Sequence, residues 1–158
     1  MVRNERYKTH DTRREAYEEQ GHRIIEQALK KYYPNKTFNI EYTTDNWDRT
    51  DLLINGKRVE YKCRWWKTQE QVDRYTKEGF VLNKKKIPYN DVFFYYIQLT
   101  KQLYMISTKN IIKGIEEGKI TSKQVTTTKY QFDDTLGEIE TIDNYLIPIE
   151  CFEKVFQL

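Results

Sequence analysis

The sequence predicts an α/β domain: a mixed central β-sheet flanked by helices, with a β-rich C-terminal extension. Three observations lead there. A segment of helical period precedes the strands, an Asn-Gly pair separates two alternating arms, and a nearly continuous β-branched and aromatic run lies mid-chain. Segments of the two periods alternating along one chain point to helices packed on a sheet.

From about Thr12 to Tyr33, the positions Gly21, Ile24, Ile25, Ala28, Leu29 and Tyr32 fall at helical spacing, and Pro34 lies just past the end. "TFNIEYTT" then alternates as a strand, and "DLLINGKRVEYK", Asp51 to Lys62, reads as a hairpin. The polar stretch "KTQEQVDRYTKEG" reads as a short helix stopped by Gly79. "VFFYYIQLT" suits a strand buried on both faces. "LYMIST" is its neighbouring strand, "KNIIKGIEEGK" a helix, and the tail from Lys123 to Leu158 a further pair of strands or a long irregular hairpin. No repeat or Pro/Gly-rich linker interrupts the 158 residues, which fit one domain, with its core over about 12–118 and a β-rich element over about 123–158.

Composition narrows the function classes. The net charge of +3 permits nucleic-acid binding without demanding it, since clustering on one face is what matters. The two cysteines, Cys63 and Cys151, lack metal-ligand spacing and read as small core residues in a reducing compartment. No apolar run reaches transmembrane length and no signal-peptide segment is visible, so a soluble, cytoplasmic protein is expected. The absence of a P-loop, GxSxG or dinucleotide fingerprint weakens kinase, hydrolase and oxidoreductase readings.

The hairpin holds the chemistry. Asn-Gly between alternating arms predicts a type I′ turn, because both central positions need φ > 0. With Asn55 and Gly56 as the loop, Ile54 pairs with Lys57, Leu53 with Arg58, Leu52 with Val59 and Asp51 with Glu60. The last pair would set two carboxylates opposite each other, their Cβ atoms roughly 4.5–5.5 Å apart, with Lys62 on the same face. The other face collects Leu52, Ile54, Val59, Tyr61 and Cys63 as an inner surface. Like charges facing across a strand pair destabilise it, and a divalent cation relieves the repulsion best. Asp51 and Glu60 offer hard oxygens and the Tyr61 carbonyl a third, a set suited to Mg²⁺ with Mn²⁺ as substitute. Lys62 beside that metal would hold the attacking water or stabilise charge growing on phosphorus.

This arrangement resembles the PD-(D/E)xK nuclease superfamily, whose members include restriction enzymes, Holliday-junction resolvases and some homing endonucleases. The resemblance covers roughly Thr12 to Gly118 in element order. It implies a restriction endonuclease-like core, Asp51 and Glu60 as metal ligands, and Lys62 as the catalytic lysine. Thr50 stands where the family often has proline. Members often add an acidic residue from the first helix; among Glu15, Glu18, Glu19 and Glu26, Glu18 lies nearest the apolar face and would orient a second water or metal. "QVDRY", with Gln71 and Tyr75, is similar to a motif of the exonuclease branch but sits close to Lys62 for that match.

Beyond the catalytic set, Trp65 and Trp66 follow the strand, and alternation allows at most one of them to reach a base. Arg64, Lys67, Lys84, Lys85 and Lys86 are candidates for phosphate contacts, although a three-lysine loop is more often a solvated turn. DNA is the expected partner, and a chain of this size suggests a homodimer or higher oligomer. A structural reading stands beside this one: Asp followed by Glu-x-Lys is common in a chain with 24 acidic and 27 basic residues. The hairpin would then be an ordinary charged ribbon on a non-catalytic nucleic-acid-binding or interaction module.

Overall fold

A computed structural model describes residues 19–42, 50–128 and 139–158. The first helix, α1, runs over 19–32 within them. It is followed by β1 (Ile40–Tyr42), β2 (Leu52–Ile54), β3 (Lys57–Arg64), α2 (Gln69–Glu78) and β4 (Phe80–Asn83). A 3-10 helix (Lys84–Tyr89) leads into β5 (Val92–Ile97), β6 (Gln102–Ser107) and α3 (Thr108–Glu116). The chain ends with β7 (Thr121–Thr128), β8 (Ile139–Ile147), a 3-10 turn (Ile149–Cys151) and β9 (Lys154–Gln157). The expected start of the first helix and the Thr43–Thr44 end of the first strand lie outside the described residues.

Local chemistry explains the boundaries. Thr68 caps α2 by accepting the Gln71 N–H, and Gly79 ends it at φ 108°. Ser107 caps α3 in the same way through the Asn110 N–H. The apolar stripe expected on α1 faces inward as its spacing requires: Ile24, Ile25, Ala28 and Leu29 are buried, with Tyr32 packed at their edge.

Six strands form the central sheet in the order β1-β2-β3-β5-β6-β9. It is mixed: β3 pairs with β5 in parallel, and its other ladders are antiparallel. A parallel pair needs a crossover, and α2, β4 and the 3-10 helix supply it. One face of the sheet, carrying Leu52, Val59, Tyr61, Cys63, Phe94, Tyr96 and Phe156, packs against α1. The opposite face, with Phe93, Tyr95, Ile97, Tyr104 and Ile106, packs with Val72 of α2, Ile111 of α3 and Phe80, Leu82 and Ile147. Each large apolar side chain so buried contributes roughly 1.5–3 kcal/mol.

Two features differ from the sequence expectation. β4 was not expected, and it joins β8 and β7 in a second, three-stranded sheet of order β4-β8-β7. The tail therefore divides. Its β7–β8 hairpin builds the second sheet, while β9 returns to the edge of the first, where the Gln157 N–H donates to the Tyr32 hydroxyl at 2.9 Å. The physical consequence is that the central sheet has cover on both faces, so the face bearing Glu60 is interior as well.

α1 lies close against β3 because Gly21 has no side chain: a Cβ there would meet Tyr61 Cδ1 at 2.8 Å and Cγ at 2.9 Å. The Tyr61 ring is 1 % exposed and cannot yield. Gly21→Val is therefore expected to destabilise the fold by roughly 1–3 kcal/mol through overpacking. Urea unfolding measures this, and an unchanged midpoint would show that the helix can shift on the sheet.

Candidate active site

The turn forms as its residue types demand, with Asn55 at φ 50° and Gly56 at φ 80°. The register follows: Leu52 partners Val59, Leu53 partners Arg58 and Ile54 partners Lys57. Asp51, however, does not continue the ladder opposite Glu60. Its N–H donates to the Val59 carbonyl at 3.0 Å, one step out of register, and its Oδ2 accepts the Tyr61 N–H at 2.8 Å. The cause lies one residue earlier. Thr50 donates its hydroxyl to the Tyr89 carbonyl at 2.6 Å, drawing the chain toward the 3-10 helix. The Asp51 carboxylate then satisfies a strand N–H that the departing backbone no longer meets.

Glu60 is 1 % exposed, in the interior between the central sheet and the layer over it. Its Cα partner on β5 is Phe93, and that of Lys62 is Tyr95. Lys62 shares the Glu60 face as alternation requires, its Nζ 3.1 Å from Glu60 Oε1. A second ammonium arrives from another element: Lys86 Nζ lies 3.6 Å from the same oxygen. The other oxygen, Oε2, is buried and has no hydrogen-bond partner among the described residues. Burial foremost, and then the Asp51 charge, push the Glu60 carboxyl up to about 7 against the opposing pull of Lys62 and Lys86.

The 3-10 helix carrying Lys86 is fastened at several points. Asn83 caps it through the Lys85 N–H, and the buried Asn90 amide donates to the Lys86 carbonyl at 2.9 Å. Arg58 of β3 donates to the Pro88 carbonyl at 3.1 Å while forking onto Asp91, with Nη2–Oδ1 at 3.0 Å and Nε–Oδ2 at 3.2 Å. That guanidinium holds the Asp91 carboxyl below its ordinary value.

Family models, curated proteins and solved structures yield no match to this chain.

The structure brings Asp51, Glu60, Lys62 and Lys86 together. Glu18 lies outside the described residues. Tyr61 points its ring to the opposite face, where its hydroxyl donates to Gln20 Oε1 at 3.0 Å. Because Asp51 takes its N–H, the Tyr61 carbonyl faces the same edge as that carboxylate. Arg64 turns toward the Val81 carbonyl, 3.4 Å from Nη2, and stands 5.6 Å from the Tyr95 ring centroid. Trp65 is exposed, whereas Trp66 stacks on Tyr75 at 5.1 Å. Lys67 and Lys85 are exposed. Lys84 donates to Ser122 Oγ at 2.8 Å and sits over the Tyr145 ring, on the second sheet. The placement of Thr50, Arg58 and Asn90 around the 3-10 helix was not foreseen, and only the Asn residues bracketing "KKKIPY" hint at a capped turn.

Among the described residues no group of three or more His, Cys, Asp and Glu side chains converges as a metal cage. Two carboxylates and a backbone carbonyl nevertheless fit Mg²⁺, which takes one or two carboxylates and leaves its remaining positions to water and phosphate. The unpartnered, buried Oε2 of Glu60 is the atom that such an ion would satisfy. Cys63 is no competitor, since burial pushes its thiol up to about 11.

A carboxyl whose folded pKa is about 7, above an ordinary 4.5, favours the folded state fully below pH 4.5 and loses that contribution as pH rises through 7. Metal-free protein is thus expected to lose about 3 kcal/mol of stability across that window. Glu60→Gln should flatten the dependence and stabilise the protein at pH 8. Urea unfolding in EDTA at pH 5 and pH 8 checks this; an equally steep slope in the variant would assign the titration to another group.

Proposed function

We propose that this chain is a Mg²⁺-dependent DNA endonuclease of the PD-(D/E)xK type, acting in the cytoplasm and hydrolysing phosphodiester bonds. The observation that carries the proposal is the buried Glu60 carboxylate, with one oxygen unpartnered among the described residues and the other against Lys62, beside Asp51. A second carboxylate next to a buried one raises the cost of its charge, and a divalent cation held by both would relieve that cost. The element order supports the reading: a leading helix, the β2–β3 hairpin, a crossover and then β5 parallel to β3, as in a restriction endonuclease-like core. Among the described residues no helix is long and apolar enough to cross a membrane.

Asp51, Glu60 and the Tyr61 carbonyl would hold Mg²⁺, or Mn²⁺ in its place. The ion supplies a Lewis acid and lowers the pKa of its bound water. Glu60 contributes a fixed acceptor that the β3 backbone cannot move. Lys62, half exposed at the edge of the interior, presents an ammonium where negative charge grows on phosphorus. Exposed Trp65, Lys67 and Lys85 would contact DNA outside the reacting bond. A homodimer or higher oligomer would extend the recognised site. A second reading has one observation in its favour: Lys62 and Lys86 already give Glu60 cationic partners. On that reading the chain is a binding module on a nuclease-like fold.

Supercoiled plasmid, a four-way junction and linear duplex, each incubated in Mg²⁺, Mn²⁺ and EDTA, separate the two. Cleavage is expected only with metal, and Lys62→Ala and Glu60→Ala should each lose about 100-fold or more in rate. Lys62→Ala cutting as fast as the parent would sink the catalytic assignment. Metal-independent DNA binding without cleavage would support the module.

A further inference from the structure

We propose that Lys86 is a second lysine of this site, standing in for the cation against Glu60 until a divalent ion binds and then turning to the scissile phosphate. The inference rests on the metal-dependent reading above and adds a residue that the Glu-x-Lys pattern does not contain.

Placement is the first ground. Lys86 approaches Glu60 from the 3-10 helix, a different element from the β3 strand of Lys62, and both ammoniums meet the same oxygen. The helix is pinned by Asn90 at the Lys86 carbonyl, by Arg58 at Pro88 and by Thr50 at Tyr89. Arg58 lies two residues before Glu60, and Thr50 immediately precedes Asp51. Two of the three contacts that position the helix of Lys86 therefore come from the hairpin that carries both carboxylates or from the residue just before it. A solvated surface lysine needs no such fastening, and the Lys86 side chain is only 22 % exposed.

Charge is the second ground. Asp51 and Glu60 are balanced by Lys62 and Lys86, so the four groups cancel. A divalent ion on Glu60 would leave an excess of positive charge crowded around one buried carboxylate. Three cations crowded on one buried carboxylate repel one another, which favours release of the one most loosely held. Lys86 hangs on a flexible four-carbon stem and can leave, while Oε2 remains available to the ion. A phosphodiester brings negative charge that offsets part of that excess, and the displaced ammonium would turn toward it. Metal, lysine and substrate are thereby linked.

The test uses the full chain and Mn²⁺ alone, followed by isothermal titration calorimetry at pH 8 without DNA. Lys86→Met should tighten Mn²⁺ binding by about 3–10-fold, because a competing cation is gone. Lys86→Gln, which keeps a polar tip at the same depth, should do the same. Lys109→Met removes equal charge from the exposed side of α3 and should match the parent. In Mn²⁺-saturated cleavage assays Lys86→Met should lose about 100-fold in rate with DNA affinity retained. Unchanged or weaker Mn²⁺ binding in both Lys86 variants, with binding lost in Glu60→Gln, would overturn the role of Lys86 and leave the metal site standing. No Mn²⁺ binding by the parent would overturn both.

Discussion

Everything around the candidate site answers to one constraint, a carboxylate held in the interior of a three-layer domain. Glu60 sits on a strand whose two faces are both covered, by α1 on one side and by the second sheet and its neighbouring helices on the other. An isolated carboxylate there would be costly as an ion. The protein meets the cost partly with cations and partly by letting the group hold its proton more tightly. Lys62 comes from the strand itself, Lys86 from the crossover, and Asp51 is turned by Thr50 to within electrostatic reach. The crossover thus has two duties. It makes the β3–β5 parallel pairing possible, and it delivers a side chain to the group that the pairing buries.

What could be read from the sequence follows from how local each signal is. The Asn-Gly turn sets three residue pairs without help from the rest of the chain, and all three are present. The α1 stripe and the doubly buried β5 were equally legible, since each depends on a period within one segment. β4 was not legible. Its four residues, "FVLN", pair with β8 some sixty positions later, and nothing between them announces the partner. β9 was missed for the same reason, its partner β6 lying about fifty residues back. The cover over the Glu60 face comes in part from β4 and β8, so it too depends on that distant pairing.

Asp51 shows tertiary contact overriding a local rule. Extending the turn register by one pair sets it opposite Glu60, but the Thr50 hydroxyl reaches the Tyr89 carbonyl and the ladder stops. Thr50 is therefore not an incidental residue at the start of the hairpin. It ties the start of the hairpin to the 3-10 helix, and proline, which has no hydroxyl, could not. The three lysines are a parallel case. At three residues per turn, successive side chains of a 3-10 helix point about 120° apart. Lys84 goes to the second sheet, Lys85 to solvent and Lys86 to Glu60. A run that looks uniform in sequence is split three ways by geometry, and only the third residue enters the site.

Whether a buried charged cluster is structural or functional turns on what each member does for stability. A lysine against a buried glutamate is compatible with either role. A second carboxylate sharpens the question, because Asp51 raises the cost of the Glu60 charge while the second lysine offsets it. Asp51 does not need a charged side chain simply to accept the Tyr61 N–H, since a neutral asparagine carbonyl oxygen could accept the same bond. Such a cluster carries a conflict between Asp51 and Glu60 that the two lysines temper.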